Sequence, residues 1–208
     1  MAQHSEIDEQ HIGTFWMLKL DRPLPDSLAN DFNARIPATF KRIGQEAGEE
    51  LVQLMELDEP AVILQRFAMG RHCYAARVAE QLVAYCWVTF DEECIGELGL
   101  SIRLKAGEAY IWDCATAPAY RGQRLYPALL KYILNALHAE GLHRVWIGTN
   151  SDNLASQIGV AAAGFQPAVD FLIGNASTKP TIRLRGHTGI SAQDLQDVYH
   201  ALSVIQAP

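Results

Sequence analysis

The sequence is short of cysteine, short of positive charge and without a long apolar run. Each shortage excludes something. Four cysteines in 208 residues (Cys73, Cys86, Cys94 and Cys114) stand 13, 8 and 20 positions apart. No Cys-x-x-Cys pair and no Cys/His quartet occurs, so no structural zinc or other metal site is expected. The thiols read as free, buried small hydrophobes. Lys and Arg number 17 against 24 Asp and Glu, a formal net charge of -7. Neutralising a phosphate backbone needs a basic footprint, which argues against a nucleic-acid partner. No apolar stretch approaches the roughly 20 residues that span a bilayer, and residues 1–10 are polar rather than signal-like. A soluble, cytoplasmic chain with no membrane partner is expected. No period of 20–50 residues repeats. What remains is ordinary for a globular chain: 49% hydrophobic and 20% charged residues, enough for a real core.

The patterning changes along the chain. Residues 1–12 are expected to fray, and Gly13 to Leu20 reads as a strand. Beyond Pro23 and Pro25, residues 26–36 and 46–69 read as helices, so the region 1–70 is expected to be largely helical. Residues 73–78 and 82–90 then alternate and read as a hairpin. Residues 97–104 and 109–116 read as a second hairpin about Gly107, which gives a four-strand antiparallel meander. Leu129, Leu130, Ile133, Leu134 and Leu137 recur at 3.6 spacing, with Pro127 in the first turn and Gly141 as the stop. Residues 144–149 read as a buried strand. Asn153 is placed to cap a short helix that ends at Gly164. Residues 165–173 and 181–185 read as strands, and 191–205 as a final helix capped by Ser191. The unit 109–116, 124–140, 144–149 is βαβ and makes two strands parallel. The expected class is α/β (α+β): one domain over residues 1–208, with a mixed, mostly antiparallel sheet, a central βαβ unit and flanking helices.

The most informative stretch runs from Trp112 to Leu130. A strand ends, a short loop turns, and a long helix starts. The first N–H groups of that helix have no internal partner and carry the positive end of its dipole, a geometry that binds phosphate. Arg121 and Arg124 add charge there, and a guanidinium fork suits paired phosphate oxygens.

Pro118, Tyr120, Arg121 and Gly122 resemble the acyl-CoA-binding motif of the GCN5-related N-acetyltransferase (GNAT) superfamily. Arg124 and Tyr126 depart from it, standing where the two motif glycines are usual. Asn153, Ser156, Gly164 and Phe165 match a second motif of that family at the expected distance. The resemblance covers about residues 70–175. It implies acetyl-CoA as cosubstrate, with Arg121, Gly122, Gln123, Arg124, Leu125 and Tyr126 around its pyrophosphate. It implies the backbone N–H of Cys114 as donor to the thioester oxygen. Thr116 would pair with the pantetheine arm, and Asn150 or Asn153, with Ser156, would hold it from the other side. The tyrosine that resembles a general acid in family members is Val160 in this chain.

Acyl transfer to an amine needs the neutral nucleophile, and deprotonating an ordinary amine at pH 7 costs roughly 4–5 kcal/mol. A carboxylate or a water relay can take the proton. Asp113 is the first candidate, because it interrupts an apolar strand and a carboxylate there must be paired or solvated. Glu97 is the second. A plain ion pair with an arginine is the alternative for Asp113, and a solvated strand end for Glu97. The Cys114 thiol offers an acyl-enzyme route beside its backbone role. Tyr126 reads as helix packing rather than as an acid. The expected function is N-acetyl transfer to a small-molecule primary amine by direct attack. Two alternatives stand: an acyl-carrier protein or long-chain acyl donor, and a GNAT-fold binding module without turnover. The strand edge at 165–185 offers a route to a homodimer.

Overall fold

Short apolar runs form the strands, and one long helical stripe crosses them. The computed structural model describes residues 9–20, 34–95, 98–174 and 181–204. In chain order the elements are β1 (Glu9–Lys19), β2 (Thr39–Ile43), α1 (Gly48–Leu54), α2 (Ala61–Ala68), β3 (His72–Val78), β4 (Gln81–Thr89), β5 (Glu92–Ile95), β6 (Leu100–Arg103), β7 (Glu108–Thr116), α3 (Leu125–Ala139), β8 (Arg144–Asn150), α4 (Leu154–Ala162), β9 (Gln166–Gly174), β10 (Thr181–Gly186), α5 (Ala192–Ala201) and β11 (Leu202–Val204). Eight strands form one sheet in the order β10-β9-β1-β8-β7-β4-β3-β2, and β11-β6-β5 form a small second one. Among the described residues of the large sheet only β7 and β8 pair in parallel, which is the expected βαβ unit with α3 as its crossover.

Helices cover both faces of the large sheet. On one face Leu125, Leu129, Leu130, Ile133, Leu134 and Leu137 of α3 are buried among Cys86, Val88, Ile111, Val145 and Ile147. Burying each such side chain contributes roughly 1.5–3 kcal/mol, so this stripe fixes α3 to the sheet centre. On the other face, Leu51 of α1 and Ile63 of α2 pack against Cys73, Tyr85 and Trp87. Val198 of α5 and Ile102 of the small sheet pack there with Phe15, Trp146 and Phe171.

The parallel pair is tied at its start by buried charge. Arg144 donates to Glu108 at 3.0 Å and to Asp197 of α5 at 2.8 Å, and lies 3.5 Å from Asp194. Lys105 reaches Asp197 at 2.9 Å, and Lys19 reaches Asp194 at 2.8 Å. The hydrogen bond from Lys105, reinforced by Arg144, holds the Asp197 carboxyl down at about 2.

Several sequence expectations change on the structure. The meander is not continuous: β4 pairs directly with β7, and β5 and β6 leave to form the small sheet with β11. Gly99, at φ +59, turns inside what reads as one strand, and Leu100 and Ile102 bury toward α5 instead of the main sheet. The helix expected over 46–69 is two, separated where Glu56 takes φ +54 and Pro60 interrupts. A proline lacks the N–H that a continuing helix would use. Residues 34–36 are not helical, and 26–33 lie outside the described residues. The described residues of the region 1–70 are not largely helical, because they supply two strands. One of them, β1, starts at Glu9 and sits between β8 and β9, so the stretch from Glu9 is not frayed. The final helix stops at Ala201, after which three residues pair as β11.

Candidate active site

A parallel pair that parts company leaves a gap in the sheet. β7 and β8 are paired only from Glu108↔Arg144 to Ile111↔Ile147. Past that point β8 stays with β1, through Gly148↔Phe15 and Asn150↔Gly13. β7 stays with β4, through Trp112↔Trp87 and Thr116↔Ala84. The β4–β7 register skips between Tyr85 and Trp87, so Cys86 faces two residues, Asp113 and Cys114. That bulge re-aims β7 at the mouth of the gap. Asp113 takes φ +41, a left-handed conformation that costs a non-glycine residue on the order of 1 kcal/mol and is typical of functional sites.

Two cavities flank this bulge. The larger, of about 690 Å³, begins at Cys114 and runs along Thr116, the turn at Arg121 and Gly122, the start of α3 and the face of α4. The smaller, of about 320 Å³, ends at Asp113.

The larger groove is built around the N-terminus of α3. No side chain caps this helix, and Arg124 occupies its N-cap position at φ +58. Gly122 takes φ +77, where a glycine is needed. Arg35 turns the loop by donating its backbone N–H to the Gln123 carbonyl at 2.9 Å and its Nη1 to the Gly122 carbonyl at 3.2 Å. Arg121 donates to the Thr116 carbonyl at 3.2 Å. Arg121 and Arg124 are both exposed and both line the groove. Uncapped amide groups and two arginines at one helix start suit an anion such as a pyrophosphate. Across the groove, Asn153 accepts the Ser156 N–H at 3.0 Å as the cap of α4.

Tyr126, in the first turn of α3, packs against α4 with its hydroxyl 3.4 Å from Ser156 Oγ. Burial, with Cys114 alongside, raises its phenol well above the ordinary range. Its ring occupies the space that a side chain at Gly159 would need: a Cβ there would stand 2.6 Å from Tyr126 Cδ1. Alanine in a helix is normally worth up to about 1 kcal/mol over glycine. Overpacking costs roughly 1–3 kcal/mol and reverses that sign here. Gly159→Ala is expected to lower the melting temperature, and Tyr126→Ala in the same chain to relieve the clash. A single Gly159→Ala variant as stable as the parent in thermal denaturation would contradict this packing.

The smaller cavity is mostly aromatic and aliphatic, with Phe15, Tyr110, Trp112 and Phe171 in its wall. Its described charged lining residues are Arg66 and Asp113. Arg66 donates Nη1 to Asp113 Oδ2 at 2.5 Å, and Tyr85 donates its hydroxyl to Asp113 Oδ1 at 3.0 Å. Burial and the neighbouring carboxylate push the Tyr85 phenol up, so it remains a donor. The Arg66 guanidinium lies 5.1 Å from the centre of the Trp87 ring and 4.5 Å from that of Trp112, in contact with both indoles.

Most of the sequence-predicted residues converge. Cys114, Thr116, Arg121, Gly122, Arg124, Leu125, Tyr126, Asn153 and Ser156 all line the groove. Gln123 does not line it, and its carbonyl serves Arg35. Asn150 lines the smaller cavity instead. Asp113 stands at the junction with both oxygens engaged, and Glu97 lies outside the described residues. Val160, on the inner face of α4, is fully buried and does not line the groove. Sequence reasoning missed Arg35, Arg66 and Tyr85. One signal existed for Arg66, since an aspartate inside an apolar strand requires a counter-charge. The four cysteines are free, and burial raises the thiols of Cys73 and Cys86. Among the described residues no group of three or more His, Cys, Asp or Glu is placed to hold a metal ion, and no helix is long and apolar enough to cross a membrane.

Comparison with known proteins follows the same lines. No curated protein matches the sequence. Among solved structures, a GCN5-related N-acetyltransferase from Sphaerobacter thermophilus superposes with a TM-score of 0.58 at 12% identity, over 86% of this chain and 54% of that one. An acetyltransferase of the GNAT family from Colwellia psychrerythraea gives 0.56 at 15% identity, over 79% and 55%. The ribosomal-protein-S18-alanine N-acetyltransferase of Escherichia coli gives 0.50 at 14%, over 62% and 78%. The chain therefore shares their fold, and it spans little more than half the length of the first two. The sequence profile of the acetyltransferase (GNAT) family matches residues 41–165, more than half of the chain and the whole of the splayed βαβ unit. The chain belongs to the GNAT acetyltransferase family.

Proposed function

We propose that this protein is an N-acetyltransferase that uses acetyl-CoA as donor and a small primary amine as acceptor, by direct transfer where β7 and β8 separate. The observation that carries this reading is that two cavities reach one bulge from either side. The groove from Cys114 onward has phosphate-binding features at its far end, and the cavity up to Asp113 has room for a small molecule. In the reaction the amine nitrogen bonds to the thioester carbonyl carbon, the C–S bond breaks, the amine proton leaves and the sulfur takes one up.

The residues of this chain divide the work. The α3 N-terminus, Arg121 and Arg124 hold the pyrophosphate. Thr116 and Asn153 flank the pantetheine arm. The backbone N–H of Cys114, turned out by the bulge, is the donor to the carbonyl oxygen, where negative charge grows. Asp113 orients rather than deprotonates, because Arg66 and Tyr85 occupy both of its oxygens. Proton removal falls to water in the cavity. Val160 cannot protonate the departing sulfur, so solvent or the Tyr126 hydroxyl supplies that proton.

The buried Val160 favours a second reading, a CoA-binding module without turnover. Thiol release from acetyl-CoA, followed spectrophotometrically against a panel of small amines, separates the two. Amine-dependent release is expected. Acetyl-CoA binding with no release above the hydrolysis background for any amine would favour the module.

A further inference from the structure

We propose that the acceptor carries a carboxylate beside its amine, and that Arg66 binds it, so the substrate class is a small α-amino acid with an apolar side chain. This rests on the acyltransferase reading above and assigns the acceptor of that same site. Three observations carry it.

First, the ion pair in the cavity wall is asymmetric. Asp113 has both oxygens engaged, one by Arg66 and one by Tyr85, so it offers an ammonium group little. Arg66 commits one N–H to Asp113. Its other N–H groups make no hydrogen bond among the described residues, and none of those nitrogens is sealed from solvent. A guanidinium has five donors in a fixed fork, and a carboxylate matches two of them. Charge balance agrees: Asp113 and Arg66 cancel, and the described lining brings no further charge of either sign.

Second, the fork is held in advance. The guanidinium packs against both the Trp87 and Trp112 rings, and Nη1 is fixed on Asp113. Little side-chain freedom remains to be lost when an anion arrives.

Third, size and polarity limit the rest of the molecule. The cavity of about 320 Å³ equals roughly ten waters' share of liquid volume, which suits about a dozen non-hydrogen atoms. Phe15, Ile95, Leu98, Tyr110 and Phe171 give it an apolar wall. A carboxylate on Arg66 stands next to Asp113, which is itself half of the bulge. An amine on the adjacent carbon then lies beside the Cys114 backbone. An amine at the end of a long side chain would not.

The test compares L-valine, L-leucine and L-phenylalanine with their amides and with the corresponding decarboxylated amines, in the full chain with acetyl-CoA. At least one free acid is expected to exceed its amide and its amine by about tenfold or more in kcat/KM. Arg66→Lys keeps the charge and removes the fork. It should raise KM for the free acid by about tenfold more than it raises the amide's KM, and leave the acetyl-CoA Kd unchanged. Amides or amines that equal or surpass every free acid would overturn the proposal. If none of the probes releases thiol, the same probes are titrated onto the protein calorimetrically, and no preference for a free acid again overturns it. Failure of acetyl-CoA itself to bind contradicts the donor reading instead, and the titration still reports on the carboxylate. Should Arg66→Lys not fold, the wild-type comparison decides alone.

Discussion

Arg144→Met is expected to destabilise the protein by about 3–5 kcal/mol, the usual cost of removing one partner from a buried ion cluster. Glu108, Asp194 and Asp197 are all buried, and Arg144 is the cation in contact with all three. For a chain of this length each kcal/mol moves the melting temperature by about 2–4 °C, so a drop of roughly 6–20 °C follows. The cluster marks where β7 and β8 begin their parallel pairing, and therefore where they must later part. The loss should also depend on pH. Asp197 is held at about 2 in the folded chain, below its ordinary value near 4 when unfolded. A carboxylate depressed by folding stabilises above its unfolded pKa, and that stabilisation fades as pH falls through about 4 toward 2. The parent should lose stability across that window. The variant should lose less, because carboxylates without their cation accept protons readily. Thermal denaturation of both chains between neutral pH and pH 3 measures this. A penalty under 1 kcal/mol, or one independent of pH, would show that the cluster does not hold the strand pair.

Replacing Arg121 and Arg124 together by alanine should weaken acetyl-CoA binding by about 10- to 100-fold. Charge-assisted hydrogen bonds contribute roughly 1.5–3 kcal/mol each at best, and both side chains are exposed, which places the pair toward the lower end. The affinity of the parent should fall with ionic strength, and that of the double variant less steeply. Arg124→Gly separates charge from conformation. Arg124 sits at φ +58 without glycine's freedom, so glycine should raise the stability of the free protein by up to about 1 kcal/mol. The same change should weaken the ligand. Calorimetric titration checks both, and a double variant with unchanged affinity would move the pyrophosphate elsewhere.

How far the sequence reaches depends on how local each signal is. The α3 stripe, the Gly141 stop, the Asn153 and Ser191 caps and the first hairpin are set by neighbours a few residues apart, and the structure has them. The phosphate turn is equally local, since Arg121, Gly122 and Arg124 act within one loop. What escaped is set by distant partners. The place of β1 between β8 and β9 joins residues at least 125 apart. The departure of β6 from the main sheet depends on α5 and β11 at the far end of the chain. Arg66 is the clearest case in the site. It lies on a short helix just after two exposed apolar residues, Val62 and Leu64, and nothing near it announces Asp113, 47 positions onward. The aspartate within the apolar strand signalled that a cation was required, but not which one.

The most direct test of the donor site is a thermal-shift titration of the purified protein with acetyl-CoA, beside the Arg121→Ala/Arg124→Ala variant. At about 100 times its Kd, a bound ligand adds roughly 2.7 kcal/mol, or about 5–11 °C for a chain of this size. A saturating shift of that order in the parent, reached only at much higher concentration in the variant, is the predicted result. No shift in either chain would contradict acetyl-CoA as the donor held at the α3 N-terminus.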